Sequence, residues 1–457
     1  MLVRFTVSNF LSFRESTEFN MLTGNPRRLE HHVYEPVKGL ELLKMAAVYG
    51  ANGAGKSNLV KAMIFLRDLI KKGWISPRLL QYKLDRTYSE KPTTMEVEFV
   101  CGNTMYVYGI EMTTAYIAEE WLYRSWQGKE DELIFHRHTK DGNTRIEVSP
   151  EYLQSEEQKL RIKLYEKEIL KETVTLLQSF GESKADFKPV REVFNWFHNF
   201  WIILFPQSQA DGIIRDLVLL PDFFSFAQEL MCTFHTGIQE LGIETYDLDE
   251  FFGADDIEQV NNIKSDLARI KSTGGSLVLK NSVLKEELLV TFNEEDRPVV
   301  KRLIARHKGH KGDFVPFILW QESDGTQRLL NLIPAFYRAV KEKSVVVIDE
   351  IEQTIHPVLL KELVGKFAQD HNTQGQLIFT THEAHLLDQE IMRQDEFWFA
   401  EKSPEGATSL TPLSDFKDVR YDLDLRKGYL IGRFGAIPFT GDLRHLKWDA
   451  YAEAEHQ

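Results

Sequence analysis

The sequence predicts an α/β fold in which a mixed sheet is flanked by helices, and three patterns lead to this prediction. Short apolar runs at residues 45–49 and 344–348 have the length and residue types of buried parallel strands. Apolar residues recur at helical spacing in residues 57–70 and 327–339, which predicts amphipathic helices that cover such strands. Residues 94–124 instead alternate apolar and polar side chains, which predicts an antiparallel β-lobe packed on this core.

Composition describes a globular chain with an acidic balance. Its 457 residues include 55 Lys and Arg against 69 Asp and Glu, a net charge of −14, which argues against a uniformly basic nucleic-acid-binding surface. The two cysteines, Cys101 and Cys232, lack zinc-ligand spacing and are too few for a disulfide scaffold, which indicates a cytoplasmic protein. Residues 1–10 lack a signal-peptide core, and the most apolar stretch, 193–206, is too short and polar to span a bilayer. We therefore expect no membrane partner.

Residues 50–57, GANGAGKS, fit the phosphate-binding pattern G-x-x-x-x-G-K-[ST] and lie between a predicted strand and a predicted helix. The glycines let backbone N–H groups turn toward phosphate oxygens, the lysine reaches the β- and γ-phosphates, and the serine ligates Mg²⁺. The helix N-terminus adds partial positive charge. The loop therefore predicts ATP and Mg²⁺ as cofactors. The predicted nucleotide-binding residues of this loop are Gly50, Asn52, Gly53, Gly55, Lys56, Ser57 and Asn58.

An acidic pair follows the apolar run 344–348. Asp349, at the end of this predicted strand, is expected to hold Mg²⁺ together with Ser57, and Glu350 is expected to polarise the attacking water. A further predicted strand, 376–379, is followed by two threonines and His382. A lone histidine is more often structural, but ligands bind at the carboxyl ends of strands in open α/β sheets. We therefore expect His382 to contact the γ-phosphate.

The polar turn ESDGT, residues 322–326, precedes the predicted helix 327–339. Ser323 fits the N-cap of this helix, since a serine hydroxyl accepts from a free N–H of the first turn. Its position one helix before the acidic strand indicates a role beyond capping.

A basic stretch at residues 297–311 leaves two interpretations open. Its flanking apolar residues and its glycine-containing turn predict a solvated β-hairpin. Its charge is also compatible with contact to nucleic acid or to an acidic protein. The basic side chains are Arg297, Lys301, Arg302, Arg306, Lys308 and Lys311.

The order GANGAGKS, ESDGT, VVVIDE, TTH resembles that of ABC-type ATPases, where ESDGT takes the place of the signature motif and residues 351–357, IEQTIHP, that of the D-loop. The opening VRFTVSNFLSFRE resembles the first strand of SMC-like and Rad-type repair ATPases. With the C-terminal segments EFWFAEK, SLTPLSDFKDVR and KGYLIGRFGAIP, the chain resembles the stand-alone AAA-15/AAA-21-type ATPases of bacterial anti-phage systems. The resemblance covers residues 1–125 and 285–440.

This resemblance implies two ATP molecules bound between two head-to-tail subunits, in a homo-oligomer that can extend to a trimer of such dimers. From one subunit it implies Lys56, Ser57, Asp349, Glu350 and His382. From the other subunit it implies Ser323, Asp324 and Gly325, with Asp324 where transporters carry glycine. The first strand is implied to approach the nucleotide through Asn9, Ser12 and Arg14. No Q-loop glutamine is evident beyond the guess Gln81.

Three segments organise the chain. Residues 1–150 are expected to hold the phosphate-binding loop and the β-lobe, and residues 285–457 the signature, acidic pair and histidine. The insertion between them, residues 151–284, is predicted to be helical, with an amphipathic helix at 156–180 that is too short for a long coiled coil. Its aromatic part, residues 187–270, is expected to form a packed helical core or a partner-docking face.

The resemblance implies an ABC-type ATP hydrolase that senses a phage trigger and holds or releases a separate toxic effector. Since the sequence has no nuclease motif of its own, the effector is expected to be a separate protein, and a Toprim-type nuclease is favoured. The expected trigger is a phage-encoded protein that is acidic or mimics DNA. One alternative is an SMC/Rad-like repair ATPase that acts on DNA directly. A second alternative is a non-enzymatic scaffold that binds ATP structurally.

Overall fold

The computed structural model of the protein describes residues 1–24, 28–73, 80–126, 128, 130–183, 187–234, 236–253, 257–271, 275–281, 286–417 and 419–437. We number strands and helices in chain order. In the described part of the chain, the helices are α1 (Lys56–Lys72), α2 (Glu156–Leu164), α3 (Leu176–Gly181), α4 (Lys188–Asn195), α5 (Ile213–Leu219), α6 (Pro221–Thr233), α7 (Leu248–Phe252), α8 (Ile257–Ile270), α9 (Asp324–Lys341), α10 (Pro357–Gln369) and α11 (Leu425–Leu430). No described helix combines the length and apolarity needed to cross a membrane.

The core is a six-stranded mixed sheet, as the sequence predicts. Its strands, in spatial order, are β11 (Trp201–Leu204), β17 (Val345–Ile348), β18 (Gln376–Thr381), β5 (Met45–Gly50), β19 (Phe397–Lys402) and β20 (Thr408–Pro412). The first five strands are parallel, and β20 pairs with β19 antiparallel. The carboxyl ends of β17, β18 and β5 therefore lie side by side at one edge, where this fold class binds ligands.

Both faces of the core sheet are covered, as a parallel sheet requires. Along β5, Ala46 and Val48 pack into the cluster that contains α1 and the β-lobe. Met45, Ala47 and Tyr49 face the opposite cluster, which contains α9 and α10. Successive strand residues point to opposite faces of the sheet. Because both faces are covered here, a strand such as β5 has to be apolar along its whole length.

The β-lobe is a seven-stranded antiparallel sheet. Its strands, in spatial order, are β10 (Asn143–Val148), β9 (Glu132–Lys140), β8 (Ile117–Ser125), β7 (Thr104–Met112), β6 (Thr93–Cys101), β1 (Leu2–Ser8) and β2 (Thr17–Asn20). The predicted meander at residues 94–124 is confirmed as β6 to β8. The N-terminal strand β1 pairs with β6 and β2 on the other side, so the chain begins inside this lobe.

The chain forms a third sheet after β11, the edge strand of the core sheet. It comprises β12 (Ile238–Asp247), β15 (Pro298–Lys308), β14 (Glu286–Phe292) and β13 (Leu277–Asn281), with β16 (Phe314–Ile318) paired to β15. A separate two-stranded sheet contains β3 (Val33–Val37) and β4 (Leu40–Leu43). The basic stretch 297–311 thus forms most of β15 and the turn of a β-hairpin with β16, and its contact to nucleic acid or to an acidic protein stays a prediction.

The insertion is less helical than the sequence indicates. Residues 201–204, inside the predicted helical core, form β11 and pair in parallel with β17 of the core sheet. Residues 238–247 form β12. The predicted helix 156–180 is interrupted, since α2 continues into a π-helical turn that ends at Ile169, and α3 begins after Thr175. Local periodicity missed these strands because their partners lie far along the chain. No long coiled coil occurs in the described residues.

Gln376, at the start of β18, joins the core sheet to the β-lobe. Its side chain is fully buried. Its Oε1 accepts from the backbone N–H of Leu2 at 2.6 Å, and its Nε2 donates to the carbonyls of Leu2 and Leu43, each at 3.0 Å. One carboxamide therefore satisfies backbone groups of the β-lobe strand β1 and of the segment that leads into β5.

We expect Gln376→Met to lower the free energy of unfolding by about 2 kcal/mol or more, because buried backbone groups of Leu2 and Leu43 lose the carboxamide that they bond to. Urea denaturation of the full chain measures this, with Gln374→Met as the control, since Gln374 is exposed. Equal destabilisation by the two substitutions would contradict the role assigned to Gln376.

Candidate nucleotide-binding site

The phosphate-binding loop leaves β5 at Gly50 and enters α1 at Lys56. Gly53 and Gly55 adopt positive φ values of 79° and 110°, which residues other than glycine rarely adopt. A Cβ atom on Gly55 would lie 2.1 Å from Oγ1 of Thr408. Glycine is therefore required at residue 55 both by the backbone conformation and by the close approach of β20.

Thr408 secures the loop in a way that the sequence did not reveal. Its hydroxyl donates to the carbonyl of Ala54 at 2.8 Å and lies 2.7 Å from Oγ of Ser12, while its N–H donates to the carbonyl of Ser12 at 2.7 Å. Ser12 Oγ also accepts from Nδ2 of Asn58 at 2.7 Å. The hydroxyls of Thr408 and Ser12 thus connect the N-terminal segment, the phosphate-binding loop and β20.

Lys56 is a buried cation whose hydrogen-bond partners are neutral groups. Only 4% of the residue is exposed, and its Nζ donates to the carbonyls of Gly50 at 2.8 Å and Ala51 at 3.3 Å. Nζ also lies 2.9 Å from Nε2 of His382. An ammonium only donates, so this imidazole nitrogen accepts and the ring is neutral.

The surroundings lower the pKa of both groups. Burial lowers the pKa of Lys56 to about 8, and the carboxylates of Glu352, Asp349 and Glu350 offset part of this effect. Burial, and then the charge of Lys56, lowers the pKa of His382. An anion placed beside Lys56 would restore the charged form of the lysine.

The acidic pair lies at the carboxyl end of β17, as predicted. Asp349 is 3% exposed, and its Oδ1 accepts from the hydroxyl of Thr380 at 2.6 Å. The same hydroxyl oxygen accepts from the N–H of Glu350 at 2.8 Å. Glu350 has φ +48°, a left-handed conformation that turns the chain sharply away from the strand. Its side chain lines the cleft beside Lys56.

His382 follows β18 and is held by a residue that the sequence did not single out. Its N–H donates to Oε1 of Glu352 at 2.6 Å. Burial raises the pKa of Glu352, while the bonds from His382 and Thr381 lower it. Glu352, which follows β17, thus positions the loop that carries His382 at the end of the neighbouring strand β18.

These elements enclose an open cleft of about 390 Å³. Its lining includes most of the predicted residues, together with Lys61 and Lys402, which sequence reasoning missed. Lys402 ends β19, whose pairing with β5 is visible only in three dimensions. The predicted residues in the lining are Asn52, Gly53, Gly55, Lys56, Ser57, Asn58, Glu350 and His382.

The cleft fits a magnesium nucleotide. A glycine loop with positive φ values, a buried ammonium with neutral hydrogen-bond partners and a helix N-terminus together suit a phosphate chain. Ser57 lines the cleft, and Asp349 is buried at the end of β17 outside this lining. Together they would offer the hydroxyl and carboxylate oxygens that Mg²⁺ prefers.

The ESDGT turn lies apart from this cleft. Ser323 caps α9 as predicted, because its hydroxyl accepts from the N–H of Thr326 at 3.2 Å. A Cβ on Gly325 would lie 2.7 Å from the carbonyl oxygen of Thr354, so the turn packs on residues 351–357 of its own chain. Ser323, Asp324 and Gly325 do not line the phosphate-loop cleft.

The N-terminal segment departs from expectation. Asn9 is 1% exposed, and its Nδ2 donates to the carbonyls of Tyr88 and Lys91 at 2.9 and 2.8 Å. Arg14 pairs with Glu15. Neither residue lines the cleft, because Asn9 is needed to satisfy backbone groups of a neighbouring loop. Of the N-terminal candidates, Ser12 is the one linked to the phosphate-binding loop.

Gln81 is equally remote, since its Nε2 donates to the carbonyl of Lys91 and it does not line the cleft. Gln207 and Gln209 instead follow β11, the strand beside the acidic strand. The carbonyl of Leu204, at the end of β11, accepts from the N–H of Asp349 at 2.8 Å. The segment after β11, which periodicity had assigned to a helix, therefore lies beside the acidic pair.

Two arginines of the basic hairpin are paired with acidic side chains of neighbouring strands. Arg302 pairs with Glu286 at 2.9 Å and Arg306 with Glu240 at 3.0 Å. These ion pairs offset part of the positive charge of the stretch.

Comparisons with known proteins give one family match and several similar solved structures. The family described as "AAA domain, putative AbiEii toxin, Type IV TA system" matches residues 45–388. Similar solved structures include an Smc head bound to the C-winged helix domain of ScpA, with 12% identity, a TM-score of 0.38 and coverage of 90% of this chain and 96% of that chain. The SMC head domain from Thermotoga maritima has 11% identity, a TM-score of 0.34 and coverage of 90% and 98%.

A search of curated proteins found no match. The family match extends from β5 through the loop that follows His382, about three quarters of the chain. The protein therefore belongs to this AAA-domain family of P-loop ATPases.

Proposed function

We propose that the protein is an ATPase whose active sites are completed by a second copy in head-to-tail arrangement. One observation carries this proposal. Lys56, Glu350 and His382 line one cleft, whereas the capped turn at Ser323 and Gly325 lies outside it at a helix N-terminus. A helix N-terminus with a serine cap and a glycine suits the terminal phosphate of a nucleotide held by another subunit.

Each residue then has a defined task. Lys56 and the N–H groups of residues 50–57 bind the phosphate chain. Ser57 and Asp349 would hold Mg²⁺, which supplies positive charge against the phosphate oxygens when bound. Glu350 orients the attacking water and accepts its proton. His382 keeps its neutral imidazole beside Lys56, where it contacts the terminal phosphate.

The biological setting is a proposal of the same kind. The family description and the motif resemblance support an anti-phage ATPase that senses a phage trigger protein, as in the ATPase subunit of the PARIS system, which the sequence resembles. The proposed effector is a separate protein, a Toprim-type nuclease, that the closed ATP-bound assembly holds. The γ-phosphate is the group that distinguishes the closed from the open state.

A repair ATPase acting on DNA is the second candidate. The resemblance of β1 and its loop to SMC-like proteins favours it. The ion pairs at Arg302 and Arg306 weigh against a broad basic surface. Stimulation of turnover by duplex DNA at physiological salt would favour this candidate.

Complementation tests the shared sites. Lys56→Ala and Ser323→Arg should each abolish ATP turnover alone. Their mixture should recover up to about one quarter of wild-type turnover, since half of the dimers are mixed and each has one intact site. Phosphate release after subunit exchange measures this.

The matched control is a mixture of Lys56→Ala and Glu350→Gln. Both substitutions affect the same side of the site, so no mixed dimer has an intact site and no recovery is expected. Recovery in the control, or none with Ser323→Arg, would refute the head-to-tail arrangement.

Thr408 provides a test of the phosphate cradle. Thr408→Val keeps the shape of the side chain but removes the bonds to Ala54 and Ser12, and we expect affinity for a fluorescent ATP analogue to fall about fivefold to tenfold. Thr408→Ser keeps the hydroxyl and should bind like the wild type. Equal affinities for the Val and Ser variants would show that the hydroxyl does not organise the loop.

A pull-down tests the defence role. Glu350→Gln should retain ATP without turnover and hold the closed state, so we expect this tagged variant, expressed from its native locus, to co-purify one stoichiometric protein, identified by mass spectrometry. Lys56→Ala should fail in the biological assay of phage protection. Recovery of nucleic acid without a protein partner would reject the effector proposal and favour the repair ATPase.

A further inference from the structure

The hairpin of β15 and β16 leads directly into the ESDGT turn. β16 ends at Ile318, and the short 3₁₀ helix Leu319–Gln321 connects it to Glu322, the first residue of this turn. The N–H of Ile318 donates to Oε1 of Gln321 at 2.9 Å, which fixes the corner between strand and turn. The turn is therefore attached to the third sheet on one side and to α9 on the other.

His307, on β15, contacts Glu322 through its side chain. Nε2 of His307 lies 2.6 Å from Oε1 of Glu322. Because an ionised carboxylate only accepts hydrogen bonds, this ring nitrogen carries the hydrogen and donates it. Only 6% of the Glu322 side chain and 23% of the His307 side chain are exposed. A largely buried contact thus joins the third sheet to the first residue of the turn.

The imidazole of His307 is held by two further neighbours. The ring of Phe317, on β16, lies 4.7 Å from it between centroids. Gly237 also packs against it, since a Cβ there would lie 3.1 Å from Nδ1 of His307. This packing fixes the direction in which Nε2 points, so the ring presents a preformed donor to Glu322.

Glu322 transmits the position of this donor to the turn. His307 is the side chain that its carboxylate bonds to in the described part of the chain. Its backbone carbonyl accepts from Nε2 of Gln327, on α9, at 2.9 Å. A buried carboxylate that loses its donor has to move toward water or stay unpaired at high cost. Since Ser323 follows Glu322 directly, such a movement would displace the cap of α9.

We propose that His307 is a positioning residue for the nucleotide site of the partner subunit. Its bond to Glu322 holds Ser323 and Gly325 in the place from which they contact the partner's nucleotide. This inference rests on the proposed function, in which the turn serves a nucleotide held by another copy. It assigns a role in ATP turnover to the third sheet, whose described residues do not line the phosphate-loop cleft.

Two substitutions of similar polarity test the contact. His307→Gln can place an N–H donor where the imidazole has Nε2, whereas His307→Asn is too short to reach Glu322. We expect His307→Asn to lower the turnover number about tenfold to a hundredfold, since small displacements of a contacting group have effects of this size. Affinity for a fluorescent ATP analogue should stay close to that of the wild type, because the chain's own cleft is unchanged.

The expected rescue and the matched control complete this test. His307→Gln should keep most of the wild-type turnover. His136→Asn should turn over ATP like the wild type, because His136 contacts Glu119 in the β-lobe, at 3.2 Å. Equal turnover of the two His307 variants would overturn the inference, since the donor at the position of Nε2 would then have no effect.

Mixing variants shows on which side of the site His307 acts. His307→Asn with Lys56→Ala should recover up to about one quarter of wild-type turnover after subunit exchange, because half of the dimers are mixed and each has one intact site. His307→Asn with Ser323→Arg should recover nothing, because both substitutions affect the turn. The reverse pattern would place His307 on the side of Lys56 and overturn the inference.

The mixture of Lys56→Ala and Ser323→Arg separates this inference from the proposed function. Recovery in that mixture, without recovery when His307→Asn replaces Ser323→Arg, would reject the role of His307 alone. No recovery in that mixture would refute the head-to-tail arrangement and the inference with it. If His307→Asn does not fold, Glu322→Leu removes the same contact together with its buried charge and should complement Lys56→Ala. Wild-type turnover of Glu322→Leu would overturn the inference.

Discussion

The nucleotide site depends on a buried ammonium that has no ion-pair partner among the described residues. Lys56 donates to two backbone carbonyls and to a neutral imidazole, and burial lowers its pKa to about 8. A charge held in this way has lost water without gaining a carboxylate in direct contact. An incoming phosphate supplies an anion in direct contact, so the cost of burying Lys56 in the free protein becomes attraction in the complex.

The register of three parallel strands keeps this ammonium in place. Because β5, β18 and β17 end side by side, the phosphate-binding loop, His382 and Asp349 reach the same edge without long connections. The hydroxyl of Thr380 joins Asp349 to the N–H of Glu350. Short, buried contacts of this kind hold side chains within the tolerance that chemistry requires.

The sequence predicts the parts of the site that consist of contiguous motifs. Residues 50–57 and the acidic pair combine a rare residue pattern with a local strand, so spacing alone locates them. Thr408 and Lys402 escape prediction because β19 and β20 join the sheet from more than 300 residues beyond β5. The resemblance to SMC-like proteins implies that Asn9, a polar residue at a strand end, approaches the nucleotide. Its side chain instead donates hydrogen bonds to backbone carbonyls of a neighbouring loop.

The segment after the acidic pair connects two surfaces that face different nucleotides in the proposed dimer. Glu352 accepts from the N–H of His382 at 2.6 Å, and Thr354, with φ +63°, brings its carbonyl against Gly325. One residue therefore separates the contact to the chain's own cleft from the contact to its capped turn. A shift of the turn at Gly325 moves Thr354 directly, because the two residues meet through backbone atoms, which cannot rotate out of the way like a side chain. The position of His382 beside Lys56 is thus tied to the turn that would serve the partner's nucleotide.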